Sequence, residues 1–403
     1  MKTYDIIIIG GGASGFFTAI NTAQNFPQLK IAILERGKDV LGKVKISGGG
    51  RCNVTHAEFI PKDLTYNYPR GEKELLGPFH TFMTGDTMSW FEERGVALKI
   101  EEDGRIFPES NTSQTIIDCF ISEAEKFNVD ILTNQSVTLF SQVADGWQVS
   151  TKTDEFSCNK LVMATGSNPK IWNLLKTQGY QIVPPVPSLF TFNCDDVRIK
   201  NIPGVVAQDV QVEVLGTNLS SSGPLLFTHW GFSAPSILKL SAYGALELAA
   251  VKYKFNIKIN FINQTYLQTL NQLMSFKHEL GKKTILKFAQ FELPKRLWKT
   301  LVLHAEIGEL VTWADVNKAA LEALAQQLTS AVFQINGKST FKEEFVTAGG
   351  IDLKEVNFKT FESKQHKNLY FAGEILNIDG VTGGFNFQNA WTSGFIIAKQ
   401  LGE

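Results

Sequence analysis

Gly10, Gly12 and Gly15 are the residues whose spacing points most directly to chemistry in this 403-residue chain. They stand in Gly10-Gly11-Gly12-Ala13-Ser14-Gly15, which follows the β-branched run Ile6 to Ile9 and leads into a stretch of helical character ending near Asn25. A second apolar run, Ile31 to Leu34, closes on Glu35 and Arg36. Strand, glycine turn, helix and a strand ending in a carboxylate are the parts of a dinucleotide site. In such a site Gly10 permits the tight turn, Gly12 lets a pyrophosphate approach the backbone, and Gly15 lets the helix lie close to the sheet. Ala13 and Ser14 open the helix, whose N–H groups and partial positive charge suit phosphate. Glu35, 20 residues after Gly15, is placed to accept a hydrogen bond from a ribose hydroxyl. Its charge favours NAD or FAD over a 2′-phosphorylated nucleotide, a choice the turn alone leaves open.

Two further glycine clusters carry chemistry. Ser47-Gly48-Gly49-Gly50-Arg51-Cys52-Asn53 contains three consecutive glycines, which a strand or helix interior would hold only at high entropic cost. The reading is a loop whose backbone touches a flat or anionic ligand, with Lys43, Lys45 and Arg51 as cations near a pyrophosphate. Cys52 has no partner cysteine two or four residues away, so disulfide exchange is not expected of it. Near the other end, Gly373-Glu374 closes a strand, and Asp379 precedes Gly383-Gly384-Phe385-Asn386, a glycine pair that starts a helix and again offers backbone N–H groups to an acceptor. His229, between Thr228 and Trp230, could donate a proton to a carbonyl or enone, although a lone histidine is more often structural. No catalytic side chain is assigned.

Ser47 to Thr55, taken with the first glycine turn, resembles the signature of the BaiN/YhiN-like flavoproteins, the NAD(P)/FAD-dependent or aminoacetone-oxidase-like oxidoreductases. Gly104 to Pro108, Leu226 to His229, Thr347 to Gly350, Glu362 to Lys364, and Phe371 through Gly394 resemble that family's recurring segments, so the likeness spans nearly the whole chain. His56, Asn377 and Asn389 stand where the family commonly has Asn, Asp and Trp. The resemblance implies an FAD-dependent oxidoreductase. It places the backbone of Val137 against the adenine and Ala164, Thr165 and Gly166 beside the cofactor. It also puts Asp379 on the ribityl hydroxyls, with the helix after Gly384 aimed at the flavin's carbonyl edge. No second glycine fingerprint joins a strand to a helix, so NAD(P)H, as a transient donor, would have to dock at the flavin ring. The other route is reduction of the flavin by substrate and reoxidation by O₂. A flavin-binding protein with structural or redox-sensing FAD and a macromolecular partner is the alternative reading, and an NAD-binding protein without flavin a third.

The elements that must position these residues read as an α/β fold. It comprises a Rossmann-like FAD-binding domain of glutathione-reductase type, without a second dinucleotide fold, and an inserted β-barrel-like domain that carries a helical subdomain. The boundaries expected are 1–188 with 345–403 for the FAD domain, 189–263 with 331–344 for the β domain, and 264–330 for the helical insertion, with substrate bound between the β insertion and the flavin. Pro184-Pro185-Val186-Pro187 marks the first boundary. Helices are expected over 75–94 with a break at Gly85, over 113–127, 266–277 and 295–304, and over 313–329 from an N-cap at Thr312; strands are expected at 130–132, 137–140, 146–150 and 341–346. Net charge −1 gives no support to a nucleic-acid or anionic-membrane partner, leaving a small-molecule substrate. The Lys282-Lys283 and Lys295-Arg296 pairs read as solvated faces. No run approaches the length of a membrane span or reads as a signal peptide, and four scattered cysteines suggest reduced thiols in a cytoplasmic protein.

Overall fold

The computed structural model describes residues 1–339 and 346–402. These fall into two compact units, Met1–Val186 with Lys342–Glu403, and Pro187–Phe341. The expected strand over 341–346 and the boundary at 344/345 lie outside the described residues except for Val346.

The first unit is built on a nine-stranded sheet. Its centre is five parallel strands in the order Leu369–Phe371, Glu155–Met163, Lys2–Ile9, Ile31–Leu34 and Asp130–Leu132. Ile7 lies between Ala32 on one side and Leu161 on the other. Both faces of this strand are covered, so its isoleucines form an unbroken apolar run with Ile6 to Ile9 all buried. An antiparallel meander, Val137–Val143 and Gly146–Thr151, joins the start of Glu155–Met163. The helix Ala13–Asn25 packs against the last helix, Phe385–Gln400. They can approach because a Cβ on Gly394 would stand 3.0 Å from Thr18 Oγ1 and 3.2 Å from the Ser14 carbonyl. Phe17, Trp90, Phe120 and Trp391 form an aromatic cluster around that contact, with Phe17 and Trp90 ring centroids 4.6 Å apart.

Two local expectations are corrected. The break in the 75–94 region lies between Glu72–Phe79 and Thr84–Glu92, before Gly85, because the Asp86 carboxylate accepts the Met83 N–H at 2.8 Å and starts the second helix there. The helix expected from Trp313 begins at Lys318, where Asn317 Oδ1 caps the Ala320 N–H at 2.8 Å. Trp313 itself sits in a turn, its N–H donating to the Lys283 carbonyl. The prolines at 184, 185 and 187 lie in a strand, Ile182–Ser188, which among the described residues pairs with Val346–Ile351 in a two-stranded sheet, where missing donors cost little.

The second unit is a seven-stranded sheet in the order Ala331–Ile335, Phe255–Asn260, Val206–Val214, Ser220–Phe227, Gly231–Ser233, Thr191–Asn193 and Gly337–Ser339, antiparallel throughout. Among the described residues the order has two ends and does not close. Helices Tyr266–Glu279, Lys295–His304 and Lys318–Ser330 share one core with this sheet: Leu273, Trp298 and Leu324 belong to the same buried cluster as Val212, Ile257 and Phe333. Among the described residues no helix is long and apolar enough to cross a membrane.

Candidate FAD site

The glycines of the first turn differ in their surroundings. Gly10 has φ +116°, and a Cβ there would stand 2.3 Å from the Ala164 carbonyl oxygen. A Cβ on Gly15 would stand 2.0 Å from the Gly10 oxygen, so both glycines are fixed by backbone packing. Gly12 differs: nothing lies within 4 Å of an added Cβ, and it caps the helix Ala13–Asn25 with no side-chain hydrogen bond and no acid in the first turn. A space with free approach beside an uncapped helix N-terminus suits a phosphate. Glu35 hangs beside the turn, Oε2 accepting the Gly11 N–H at 2.9 Å and Oε1 the Gly37 N–H at 2.8 Å. Arg36 is exposed.

Ala164, Thr165 and Gly166 follow the strand Glu155–Met163, and the Ala164 N–H donates to the Ile9 carbonyl, so this end stands beside Gly10. Thr165 Oγ1 is buried without a protein partner, as is Asn53 Oδ1. Orphaned polar atoms of this kind are expected where a polar ligand supplies the missing bonds. Val137 pairs with Thr151 at an irregularity in the meander, two residues after Gln135, whose N–H donates to the Glu35 carbonyl.

The 42–53 segment is part helix, part strap. Residues Gly42–Gly50 begin helically, then break where Ser47 turns extended and Gly48, Gly49 and Gly50 take φ of +56°, +67° and +83°. Gly49 and Gly50 have open space where a Cβ would lie. Lys43 and Arg51, expected as cations near a pyrophosphate, each have a carboxylate neighbour. Lys43 Nζ lies 2.5 Å from Glu374 Oε2, and Arg51 Nη1 lies 2.6 Å from Glu101 while its guanidinium stacks 3.9 Å from the Phe107 centroid. Lys45 is exposed. Cys52 is fully buried, and burial pushes its thiol up to about 12, against a smaller lowering by a Ser47 hydrogen bond. A protonated, inaccessible thiol is no nucleophile.

The strap runs along the last helix. Thr55 Oγ1 donates to Gln388 Oε1 at 2.6 Å, Trp391 Nε1 donates to the Val54 carbonyl at 2.9 Å, and His56 Nδ1 lies 3.1 Å from the Gly383 oxygen with its ring 4.7 Å from that of Phe385. A Cβ on Gly384 would stand 2.7 Å from Thr55 backbone atoms. Gly383 and Gly384 have φ of +131° and +95°, and the helix they start has no side-chain cap. Asn386 clamps the preceding turn, accepting the Gly380 N–H at 2.8 Å and donating to the Gly380 carbonyl at 3.0 Å. Gly373, φ +71°, donates its N–H to Ser393 Oγ at 3.1 Å. Asp379 is fully buried with its carboxylate on the Arg70 guanidinium, Nε 2.5 Å from Oδ1 and Nη2 paired with Oδ2. Arg70, Gln388 and Ser393 escaped the sequence reading. Gln388 and Ser393 lie on the helix that the glycine pair announces, whereas nothing near Arg70 marks it.

The first unit therefore joins the 10–15 turn, 164–166, the 42–56 strap and 373–386. Ser14 Oγ reaches the Ala372 carbonyl at 3.5 Å, and Lys43 with Glu374 ties the strap to the 373 turn. These residues fit a dinucleotide with a flat ring: two uncapped glycine-led helix starts, a carboxylate beside the first, and orphaned buried polar atoms. Among the described residues no group of three or more His, Cys, Asp or Glu side chains is placed to hold a metal.

Comparison with known proteins agrees. The model of the HI0933-like protein Rossmann domain matches residues 4–400. The chain is 29% identical over 413 residues to a ribosomal RNA dihydrouridine synthase of Escherichia coli, covering 100% of this chain and 98% of that one. It is 25% identical over 409 residues to a 3-dehydro-bile acid delta(4,6)-reductase of Clostridium scindens, 98% of each. A 3-ketosteroid-delta4-(5alpha)-dehydrogenase from Rhodococcus jostii RHA1 shares the fold, with TM-score 0.51, 11% identity and 99% and 97% coverage. The chain belongs to the HI0933-like Rossmann-domain family and is an FAD-dependent oxidoreductase.

Proposed function

We propose that this protein saturates a carbon–carbon double bond conjugated to a carbonyl, with NAD(P)H as reductant and uridine in ribosomal RNA as substrate. The observation that carries the flavin chemistry is the pair of helix N-termini at Gly12 and Gly384, both led by glycine, both without side-chain caps, on two helices packed against each other in one unit. The relatives supply the substrate class. Dihydrouridine is uridine reduced at a double bond conjugated to a carbonyl, and a 3-dehydro-bile acid reduced at its 4 and 6 double bonds presents the same group.

FAD, when bound, supplies a site that takes a hydride from NAD(P)H and passes it to the β-carbon of such an alkene. A proton added at the α-carbon completes the balance, and NAD(P)⁺ leaves as the oxidised product. Gly10 to Gly15 and Glu35 would hold the ADP half, with Thr165 and Gly166 beside it. Asn53, Gly373 and the Gly383–Asn386 turn would hold the flavin half, with buried Asp379 bracing that turn through Arg70. The backbone N–H groups after Gly384 would stabilise negative charge at the ring's carbonyl edge. His56 and Asn386 would fix that turn through Gly383 and Gly380. Lys43 and Arg51 would act through their carboxylates, orienting the strap.

Anaerobic mixing of the FAD-loaded protein with NADH or NADPH should bleach the flavin, and ribosomal RNA transcribed in vitro should then gain dihydrouridine, read by mass spectrometry of the digested RNA. Absent bleaching with both nucleotides would sink NAD(P)H as donor. Reduction of a simple enone but never of RNA would remove uridine as substrate. His229, exposed in the turn between Ser220–Phe227 and Gly231–Ser233, is tested in the same assay: unchanged reoxidation by substrate in His229→Gln excludes it as the proton donor.

A further inference from the structure

A chain with net charge −1 conceals a basic stretch: from 277 to 304, seven Lys and Arg stand against two Glu. Lys277 spends its ammonium on the Val316 carbonyl. Lys282, Lys283, Lys287, Lys295, Arg296 and Lys299 are exposed. On the helix Lys295–His304 successive residues rotate by about 100°, so Lys295, Lys299 and Arg296 fall within one arc about 100° wide. The opposite arc of Leu297, Trp298, Leu301 and Val302 is buried. The segment bearing the other three lysines is pinned to this helix, since the carbonyl of fully buried Ile285 accepts the Trp298 indole N–H at 2.8 Å. Beside them Phe288 is 45% exposed, with Lys283 Nζ 5.0 Å from its ring centroid. Of the neighbouring carboxylates, Glu309 approaches Lys299 at 3.7 Å and Glu292 is exposed.

Lysines spaced over a helix and an anchored loop match a run of phosphates, and an exposed ring among them offers a stacking face to an unpaired base. A surface meant only for solubility would not expose Phe288 among these cations. We infer that this face, the 282–288 segment with the solvent side of Lys295–His304, is a docking surface for single-stranded stretches of ribosomal RNA. The inference rests on the RNA substrate proposed above, and it locates the binding of the polynucleotide on residues remote in sequence from the glycine turns.

The test is fluorescence anisotropy of a labelled oligouridylate with the full, FAD-loaded chain, titrated over a range of potassium chloride. The triple variant Lys282→Ala, Lys287→Ala, Lys295→Ala should bind at least about tenfold more weakly at physiological salt, and its slope of log K against log salt should be shallower by about 2. Phe288→Ala should lose about tenfold in affinity with the slope unchanged. Flavin content and bleaching by NAD(P)H should match the parent in all variants, which reports intact folding. Parent-like binding by the triple variant, or an equal loss in a control triple variant at the exposed Lys62, Lys73 and Lys170, overturns the surface while leaving the RNA substrate standing. A parent protein that reduces an enone yet binds no RNA overturns the substrate reading and the surface with it. Lysine-dependent capture of phosphatidylglycerol vesicles without RNA binding overturns the surface in favour of a membrane.

Discussion

One added methyl group should have opposite consequences at Gly12 and Gly15. Gly15→Ala drives a Cβ to 2.0 Å from the Gly10 oxygen, an overpacking expected to cost about 3 kcal/mol and to lower the melting temperature. Gly12, with φ −98° and ψ −169°, can become alanine without strain or collision. Gly12→Ala should therefore hold its stability within about 1 kcal/mol of the parent. It should lose FAD affinity by more than about tenfold, since the methyl would occupy the phosphate's approach. Measuring both quantities for both variants separates a packing glycine from a ligand glycine; a stable Gly12→Ala protein with parental FAD affinity would remove the pyrophosphate from this turn.

Among the elements, the start of the last helix depends on parts distant in sequence. The loop before Glu72 supplies Arg70, whose guanidinium meets the buried Asp379 carboxylate, and Val381 donates its N–H to the Asn67 carbonyl at 2.9 Å. Tyr68 adds a hydrogen bond from its hydroxyl to the Phe385 carbonyl at 2.6 Å, and burial holds its phenol well above the usual range. Arg70→Ala would leave a carboxylate buried without its guanidinium, at a cost of about 3–5 kcal/mol. We expect lowered stability and loss of bound FAD, with Arg70→Lys intermediate, because lysine keeps the charge but not the two-pronged geometry. Equal flavin retention in the parent and Arg70→Ala would show that the turn holds itself. In the second unit, Asn317→Ala should cost about 1 kcal/mol in a urea titration, since Asn317 caps the helix that Thr312 was expected to cap.

For the whole molecule, the cysteines make a prediction about pH. All four are buried, and burial pushes the thiols of Cys52 and Cys158 up to about 12 and those of Cys119 and Cys194 to about 11. Unfolded, each would titrate near about 8.5. Between that value and about 11 the unfolded chain gives up protons that the folded chain keeps, so the contribution is whole at neutral pH and is lost as pH rises, by up to about 1.4 kcal/mol per pH unit for each thiol. Urea unfolding followed from neutral pH to about pH 10 should show that decline, and thiol reagents should label the native protein at neutral pH far more slowly than the unfolded one. Rapid labelling of the folded chain would contradict the burial.

Features whose information lies within a dozen residues were legible along the chain. Gly10, Gly15, Gly383 and Gly384 could be read because positive φ or close packing excludes a side chain there, and Glu35 because it closes the strand after the first turn. The helices at 114–126 and 295–304 could be read because their apolar faces repeat at the helical period. Boundaries failed where a cap came from a residue with equal competitors nearby, as Asn317 did against Thr312. Which charges meet one another depended on the folded chain. Lys43 found Glu374 331 residues away and Arg51 found Glu101, while Asp379 met Arg70 across 309 residues. A charged side chain's role depends on its nearest opposite charge in space, and no pattern in the chain records that distance. Gly10, Gly383 and Gly384 carried their roles in their own backbone freedom, whereas the cations received their partners from the fold.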